Sequence, residues 1–280
     1  MRSDEAVRDA ATLWHITTPA RPFRVPGVAM AGFRERITGP VDLSVVPYPA
    51  VTLIVDVGNG DDLTVIDEDR GRHERGNAVA GLLPGSVRGV GRDIECLQVR
   101  LSPLVAHAVL GDTAQLTGSV VSLEDVWGRD ATRIHEQLQA APTWDERFAI
   151  VEAALARRVD SGREVDREID FAWRRIVARR GQVRVDRLAE DVGWGRKRLW
   201  SRFRSQVGLT PKQAAQLVRF DHAAHRLAAG HPAAQVAAEA GYADQSHLHR
   251  EVAAFTGMTP TAVAAAPWLA VDDVAWGMSV

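Results

Sequence analysis

The chain has 280 residues, of which 46% are hydrophobic, so it is long enough to bury the cores of two domains. It contains no apolar run of about 18 residues, and residues 1–10 are charged rather than signal-like, so we expect a cytoplasmic protein without membrane contact. The single cysteine, Cys96, excludes internal disulfides and thiolate zinc clusters.

The net charge of −2 conceals a difference between the two halves. Residues 1–162 carry 17 basic and 23 acidic side chains, which gives −6, whereas residues 163–280 carry 17 and 13, which gives +4. Between residues 196 and 226 there are eight basic residues and one acidic residue, Asp221. A solvated helix face can explain such a run, but a basic half joined to an acidic one also indicates nucleic-acid binding.

Residues 23–101 consist of short β-branched runs separated by Gly, Pro, Asn and Asp, a pattern typical of a β-sandwich or barrel. The predicted strands are 41–46, 51–57, 63–66, 78–83 and 94–101. The strongest hairpin signal is Gly-Asn-Gly-Asp at residues 58–61. Pro47, Pro49 and Pro84 are expected at edges or turns.

After Pro103 the apolar period becomes helical, and the predicted helices lie at 104–109, 123–127, 134–138 and 148–159. Thr143 and Glu146 have the spacing of a capping box for the last of them. Ser-Gly-Arg-Glu at 161–164 is the predicted domain boundary. It divides the chain into a domain at 1–162, a helical domain at 163–268 and a tail at 269–280, to which we assign no role.

Residues 185–260 contain one helical unit twice. The offset between equivalent residues is 48 at Gly193 and Gly241 and 49 at Leu199 and Leu248, so the second turn is one residue longer. Each unit reads as a short helix, a tight turn and a second helix that ends at a Gly-x-Thr-Pro sequence, which predicts two helix-turn-helix motifs, at 185–208 and 232–257. A helix at 169–179 precedes them, and one at 211–229 joins them.

The second helix of each unit has its apolar pair at i and i+4, so the opposite rows should face outward. The candidate DNA-binding residues are Arg196, Lys197, Trp200, Ser201 and Arg204 in the first copy, and Gln245, Ser246, His247, His249 and Arg250 in the second. Arg and Lys on such a face meet phosphates and guanine edges in a major groove. Trp200 points sideways, where it packs on the joining helix or reaches a thymine methyl group.

With these residues identified, the stretch from Ile169 to about Trp268 resembles the DNA-binding domain of the AraC/XylS family of transcription regulators. Residues 241–250, Gly-Tyr-Ala-Asp-Gln-Ser-His-Leu-His-Arg, are close to the family signature Gly-Phe-x-Asp-x-Ser-His-Phe-x-Arg. This sequence differs from the family pattern at Ser201, where the family usually has Arg, and at Gly195, where the family has an N-cap Ser. Asp244 is the equivalent cap in the second copy.

The resemblance implies an α+β protein with an N-terminal small β-barrel or cupin-like sensor domain and a C-terminal all-α double helix-turn-helix domain. It implies a sequence-specific activator-type regulator that places two recognition helices in adjacent major-groove segments of promoter DNA. Expected partners are RNA polymerase, a small-molecule effector and a second copy of the chain, with the signal passing through helices at 129–160. The alternatives are a non-sensing architectural DNA-binding protein and a cupin-type enzyme fused to a DNA-binding domain.

We expect no enzyme activity, cofactor or metal site. A metal cupin needs two histidines one residue apart and a carboxylate, and His15, His73, His107 and His135 provide no such pair, so they are interpreted as surface histidines. His247 and His249 have the spacing but lie on a predicted helix, where they point apart. Cys96 is interpreted as a core cysteine.

Overall fold

The computed structural model describes residues 13–36, 39–58, 63–82 and 87–276. The strands are β1 Trp14–Thr17, β2 Val28–Glu35, β3 Val41–Val45, β4 Val51–Asp56, β5 Thr64–Asp67, β6 Arg72–Arg75, β7 Ala78–Ala80, β8 Val87–Gly91, β9 Glu95–Leu101 and β10 Val120–Ser122. The helices of the first half are α1 Pro103–Leu110, α2 Thr113–Leu116, α3 Leu123–Trp127, α4 Arg129–Ala140 and α5 Trp144–Asp160. Those of the second half are α6 Arg167–Ala178, α7 Val185–Asp191, α8 Arg196–Val207, α9 Pro211–Ala228, α10 Ala233–Glu239, α11 Gln245–Thr256, α12 Pro260–Ala264 and α13 Pro267–Trp276.

The strands form two antiparallel sheets. The larger has the order β1-β2-β9-β4-β7-β10 and the smaller has the order β3-β8-β5-β6. β9 lies between β2 and β4, and its residues Cys96, Leu97, Val99 and Leu101 are buried. The predicted β-rich first half and helical second half are therefore confirmed, with the β domain built from two sheets.

The five predicted strands are present as β3, β4, β5, β7 and β9, whereas β1, β2, β6, β8 and β10 were missed. β2 was not predicted because its sequence, VAMAGFRE, is rich in Ala and Gly, which are weak strand formers. Gly32 is required there, since a Cβ atom would lie 2.4 Å from the ring of Trp144. Of the predicted hairpin at 58–61, residues 59–61 lie outside the described residues, and so does Pro84.

The predicted helices are all present, and α3 has the predicted bounds. Thr143 caps α5, because its side chain accepts a hydrogen bond from the Glu146 backbone N–H at 3.3 Å. One continuous hydrophobic cluster extends from the sheet, through Val99, into the second half, through Phe203 and Phe220. The predicted boundary at 162–163 thus does not separate two cores.

The prediction of a tail at 269–280 is wrong for residues 269–276. These belong to α13, which packs against β1, β2 and β3 and buries Trp268, Val271 and Trp276 beside Trp14 and Phe33. The residues after Trp276 lie outside the described part of the chain. The acidic composition was misleading because Asp272 is buried, where only 4% of its surface is exposed.

Asp272 joins α13 to both halves of the chain. The Arg100 guanidinium on β9 donates two hydrogen bonds to its carboxylate, the longer of them 3.2 Å, and His225 Nε2 on α9 lies 3.6 Å from it. Burial alone would raise the pKa of Asp272, but Arg100 and His225 hold it below its ordinary value. The nearby carboxylate of Asp272, supported by that of Asp221, raises the pKa of His225 to about 9.

Arg100 also contacts aromatic rings. Its guanidinium carbon lies 3.8 Å from the centre of the Tyr48 ring and 4.4 Å from that of Trp276. Cation–π contacts of a buried guanidinium add to its charge pairing. We call Arg100, Asp272 and His225 the interdomain clasp, because they link the sheet, α13 and α9.

Candidate nucleic-acid interface

The first helix-turn-helix consists of α7, a turn at Gly193 and α8. Gly193 has a φ of +67°, a left-handed conformation that favours glycine. Leu199 and Phe203 are fully buried, as their i, i+4 spacing predicts. The burial of this pair turns the opposite face of α8 outward.

The five candidate residues of the first copy are all exposed, namely Arg196, Lys197, Trp200, Ser201 and Arg204. Lys197 and Arg204 form no ion pair with any residue that the structure describes. Arg196 Nε lies 3.0 Å from Asp186 on α7. Trp200 has 40% of its surface exposed, so its ring is not buried against α9. Of its two predicted positions, the structure therefore favours the outward one.

Two features hold α8 in place at its sides. Arg202 forms a bidentate ion pair with Asp166, at 2.7 and 2.8 Å, and these hydrogen bonds lower the pKa of Asp166. Arg198 lies over the Trp194 ring at 4.2 Å. Gly195 caps the helix without a side-chain hydrogen bond, as predicted. Arg198 and Arg202 are thus used for packing, whereas Lys197 and Arg204 are not.

The second helix-turn-helix consists of α10, a turn at Gly241 with a φ of +75°, and α11. The Asp244 side chain caps α11 by accepting from the His247 backbone N–H at 2.7 Å, as predicted. Leu248 and Val252 are fully buried. Four of the five candidate residues are exposed, namely Gln245, Ser246, His249 and Arg250.

Two of these side chains are oriented by neighbours one helical turn away. Gln245 Nε2 lies 3.3 Å from His249 Nε2, and Arg250 Nε donates to the Ser246 carbonyl at 3.3 Å. The terminal NH₂ groups of Arg250 have no partner among the described residues. They can therefore donate to a phosphate or a base edge, which is the chemistry of a major-groove reader.

His247 differs from the other candidates. Its ring is half-buried, stands edge-on to Tyr242 at 5.2 Å and has Nδ1 3.4 Å from the Ala243 backbone N–H. His247 is therefore less accessible than the other four candidates, and its DNA contact stays a prediction. His247 follows Ser246 directly on α11, so its side chain is rotated by about 100° around the helix axis relative to that of Ser246. This rotation brings it to the turn that precedes α11.

A buried ion pair that sequence reasoning missed fixes α11 on α9. Glu251 accepts two hydrogen bonds from the Arg219 guanidinium, at 3.1 and 2.5 Å, and one from Tyr242 Oη at 2.8 Å. Burial raises the pKa of Tyr242, so its hydroxyl remains a donor. One residue in the sequence could have indicated this ion pair. Tyr242 stands where the family signature has Phe, and a buried tyrosine hydroxyl needs a polar partner.

The joining helix α9 has 18 residues, which corresponds to a length of about 27 Å. Its start is fixed by a capping box between Thr210 and Gln213. Gly181, in the turn that follows α6, lies so close to the backbone of α9 that a Cβ atom would be 2.1 Å from the Ala215 carbonyl oxygen. The helix is therefore held at its N-terminal half by α6.

The N-terminal half contacts the first recognition helix directly. Thr113 Oγ1 donates to the Gln206 carbonyl at 3.1 Å, and Thr117 Oγ1 donates to the Gly208 carbonyl at 3.1 Å. Both bonds reach the last turn of α8, so the outward row stays exposed. This contact through α2 was not foreseen, since the signal route predicted from sequence ran through the helices at 129–160.

The remaining candidate residues lie apart from this interface. His15 and His73 are exposed, but His107 is buried, with 6% of its surface exposed, so its prediction as a surface histidine is wrong. It belongs to the inner face of α1. Cys96 is buried, and burial raises its pKa to about 12, as expected for a core cysteine. Within the described ranges, no cluster of three His, Cys, Asp or Glu side chains could hold a metal ion, and no helix could cross a membrane.

Comparison with known proteins identifies the helical half. A family model described as a helix-turn-helix domain matches residues 188–266. Similar solved structures include ToxT from Vibrio cholerae O395, 10% identical over 85% of this chain and 97% of that one, with a TM-score of 0.44. Fatty-acid-bound ToxT from V. cholerae strain SCE256 is 10% identical over 88% and 97%, with a TM-score of 0.46. The AraC-like transcriptional activator CuxR is 14% identical over 72% and 83%, with a TM-score of 0.34.

A search of curated sequences finds no match. The assignment of the helical half therefore comes from the matched segment, which extends over both helix-turn-helix units. Residues 188–266 are a helix-turn-helix domain.

Proposed function

We propose that this chain is a sequence-specific regulator of transcription that binds double-stranded DNA through α8 and α11. The observation that carries the proposal is the repeated geometry, in which each recognition helix buries an apolar pair and leaves a polar and basic row exposed. Lys197, Arg204 and Arg250 are held in no ion pair by described residues. The Arg196–Asp186 pair is exposed, contributes about 0–1 kcal/mol and exchanges readily for a phosphate.

The second motif carries the main base readout in this proposal. Its signature is intact, its helix is capped by Asp244, and Arg250 has its terminal NH₂ groups available. In the first motif, Ser201 occupies the place equivalent to Arg250. Lys197 and Arg204 then act as backbone contacts, and Trp200 can contact a thymine methyl group.

Replacement of Arg250 by alanine should weaken binding to the specific site by about 1 to 3 kcal/mol, with little loss on random DNA, because a base contact is lost. Fluorescence anisotropy with the full chain on both DNA samples measures this. The matched control is Arg174→Ala, which removes an exposed arginine on α6 whose one ion pair among the described residues is with Asp170. Equal losses on specific and random DNA would identify Arg250 as a phosphate contact instead.

We further propose that one chain covers two adjacent major-groove segments on one face of DNA. Their centres must be about one helical turn, roughly 34 Å, apart. The length of α9, about 27 Å, supplies most of this separation, and the flanking turns can supply the rest. A contiguous, asymmetric site of about 17 to 20 base pairs follows.

Hydroxyl-radical footprinting of the full chain should show two protected segments about 10 base pairs apart on one face. Lys197→Ala should weaken the protection of one segment, and Arg250→Ala should weaken that of the other. Protection of a single segment per bound chain would mean that α8, with Ser201 and Trp200, does not insert.

The N-terminal half, in this proposal, senses a small molecule and transmits the signal to α8 through α2. Support comes from the hydrogen bonds of Thr113 and Thr117 to the last turn of that helix. Homodimerisation through this half and contact with RNA polymerase complete the proposed function and are supported by the sequence resemblance. A non-sensing architectural protein would lack any effector response.

A thermal-shift screen followed by operator binding tests this coupling. An effector should raise the melting temperature and change DNA affinity in the native chain. In Thr117→Val, which removes one hydrogen bond to α8, the melting shift should remain while the change in DNA affinity becomes smaller. Ligands that stabilise the chain without altering DNA affinity would support the architectural alternative.

A further inference from the structure

A groove separates the first half of α9 from α11. Its volume is about 540 Å³, within the range of about 300 to 1,000 Å³ that accommodates small organic ligands. The groove opens beside Arg250, on the same helix as the proposed base-reading residues. Both helices belong to the DNA-binding half, so the groove is distinct from any effector site in the N-terminal domain.

Half of the residues that line the groove are apolar, and Gln213, Gln216 and His247 supply its uncharged polar part. Leu209 and Leu217 form buried parts of it, and Phe255 is half-buried and stacked on Phe220 at 4.8 Å. Ala254 lies exposed at its edge, and its small side chain leaves the groove open. Such a surface binds an apolar body, in particular one with flat rings.

Two charged residues line the groove, and their charges are not equivalent. The carboxylate of Glu251 is neutralised by the bidentate Arg219 and by Tyr242 Oη. Arg250 donates only Nε, to the Ser246 carbonyl, and no described carboxylate pairs with it. The groove therefore presents one uncompensated positive charge at the rim of an apolar surface.

We propose that this groove binds a small amphipathic anion, with its carboxylate or sulfonate on Arg250 and its ring system between α9 and α11. Because Arg250 is also the proposed base contact, the bound anion competes with DNA. The competition rests on the proposed function, whereas the binding itself does not. A neutral molecule with the same rings gains only the apolar contacts.

Two dyes with matched rings test the binding on the full chain without DNA. 8-Anilinonaphthalene-1-sulfonate carries the anion, and N-phenyl-1-naphthylamine lacks it. Fluorescence titration should show one saturable site for the sulfonate. Arg250→Gln should lower the affinity for the sulfonate about tenfold and leave the affinity for the amine unchanged, because only the charge-assisted hydrogen bond is lost.

Ala254→Trp should fill the groove and abolish binding of both dyes at this site. Ala253→Trp is the matched control, because Ala253 is exposed on the neighbouring position of α11 and does not line the groove. Circular dichroism and melting curves confirm that both variants fold. Equal effects of the two tryptophans, or an unchanged sulfonate affinity in Arg250→Gln, would overturn the proposal.

A second titration measures the competition. With the sulfonate at about ten times its dissociation constant, the apparent Kd for specific DNA should rise about elevenfold, as simple competition requires. This rise should disappear in Ala254→Trp relative to the same variant without dye. Unchanged DNA affinity of the native chain at saturating dye would overturn the competition, whereas a chain that binds no DNA even without dye would overturn the proposed function and leave the groove result standing.

Discussion

Replacement of Asp272 by alanine should lower the free energy of unfolding by about 3 to 5 kcal/mol. The substitution leaves the guanidinium of Arg100 buried without its carboxylate, since only 12% of that side chain is exposed. It also removes one of the two carboxylates beside His225 on α9 and leaves only that of Asp221. Urea or thermal unfolding followed by far-UV circular dichroism measures the change.

The double variant Arg100→Met with Asp272→Leu is the control for this result. It removes both charges and leaves apolar side chains of similar size, so it should lose much less stability than Asp272→Ala. Equal losses in the single and double variants would mean that packing of α13, and not the ion pair, makes the contribution. An unchanged stability in Asp272→Ala would contradict the interdomain clasp.

The clasp also predicts the sign of a pH dependence. Because the folded pKa of His225, about 9, lies above its ordinary value, its contribution is fully present below about pH 6.5 and is lost as the pH rises through 9. The native chain should therefore lose stability between these values. Asp272→Ala should lose less over the same range, since its His225 keeps only Asp221 to raise its pKa.

The clasp and the α2 contact explain why the two halves behave as one packed unit. Neither could be predicted from the sequence, because Arg100 and Asp272 are 172 residues apart and their pairing depends on how α13 folds back onto the sheet. Asp272 and Asp273 made the C-terminal segment look solvated. The spacing of Trp268 and Trp276 was a weak signal of a buried helix face.

The helix-turn-helix units were predictable because local patterns determine them. The i, i+4 pairs Leu199 with Phe203 and Leu248 with Val252 specify which face is buried, and the glycines at 193 and 241 specify the turns. The exposed rows follow from these constraints by helix periodicity. The half-buried position of His247 does not follow from these constraints, because it depends on the contact with Tyr242 in the turn before α11.

Replacement of Glu251 by alanine should lower the free energy of unfolding by about 3 to 5 kcal/mol and should also weaken specific DNA binding. Glu251 is buried, with 7% of its surface exposed, and it neutralises Arg219 on α9. Without it, a charge on the joining helix is left unpaired beneath α11. The second recognition helix, α11, then lacks the hydrogen bonds from Arg219 and Tyr242 that fix its orientation on α9.

Tyr242→Phe and Glu251→Gln separate the two roles of this anchor. Tyr242→Phe removes one hydrogen bond and should cost about 0.5 to 1.5 kcal/mol, whereas Glu251→Gln keeps the shape but not the charge. Unfolding curves and anisotropy on specific DNA measure both variants. If the ion pair orients α11, DNA affinity should fall in Glu251→Gln even at temperatures where the variant is fully folded, because Arg250 lies on the same helix one residue away. A Glu251→Gln chain with reduced stability but native affinity for specific DNA would show that the anchor stabilises the fold without orienting the recognition helix.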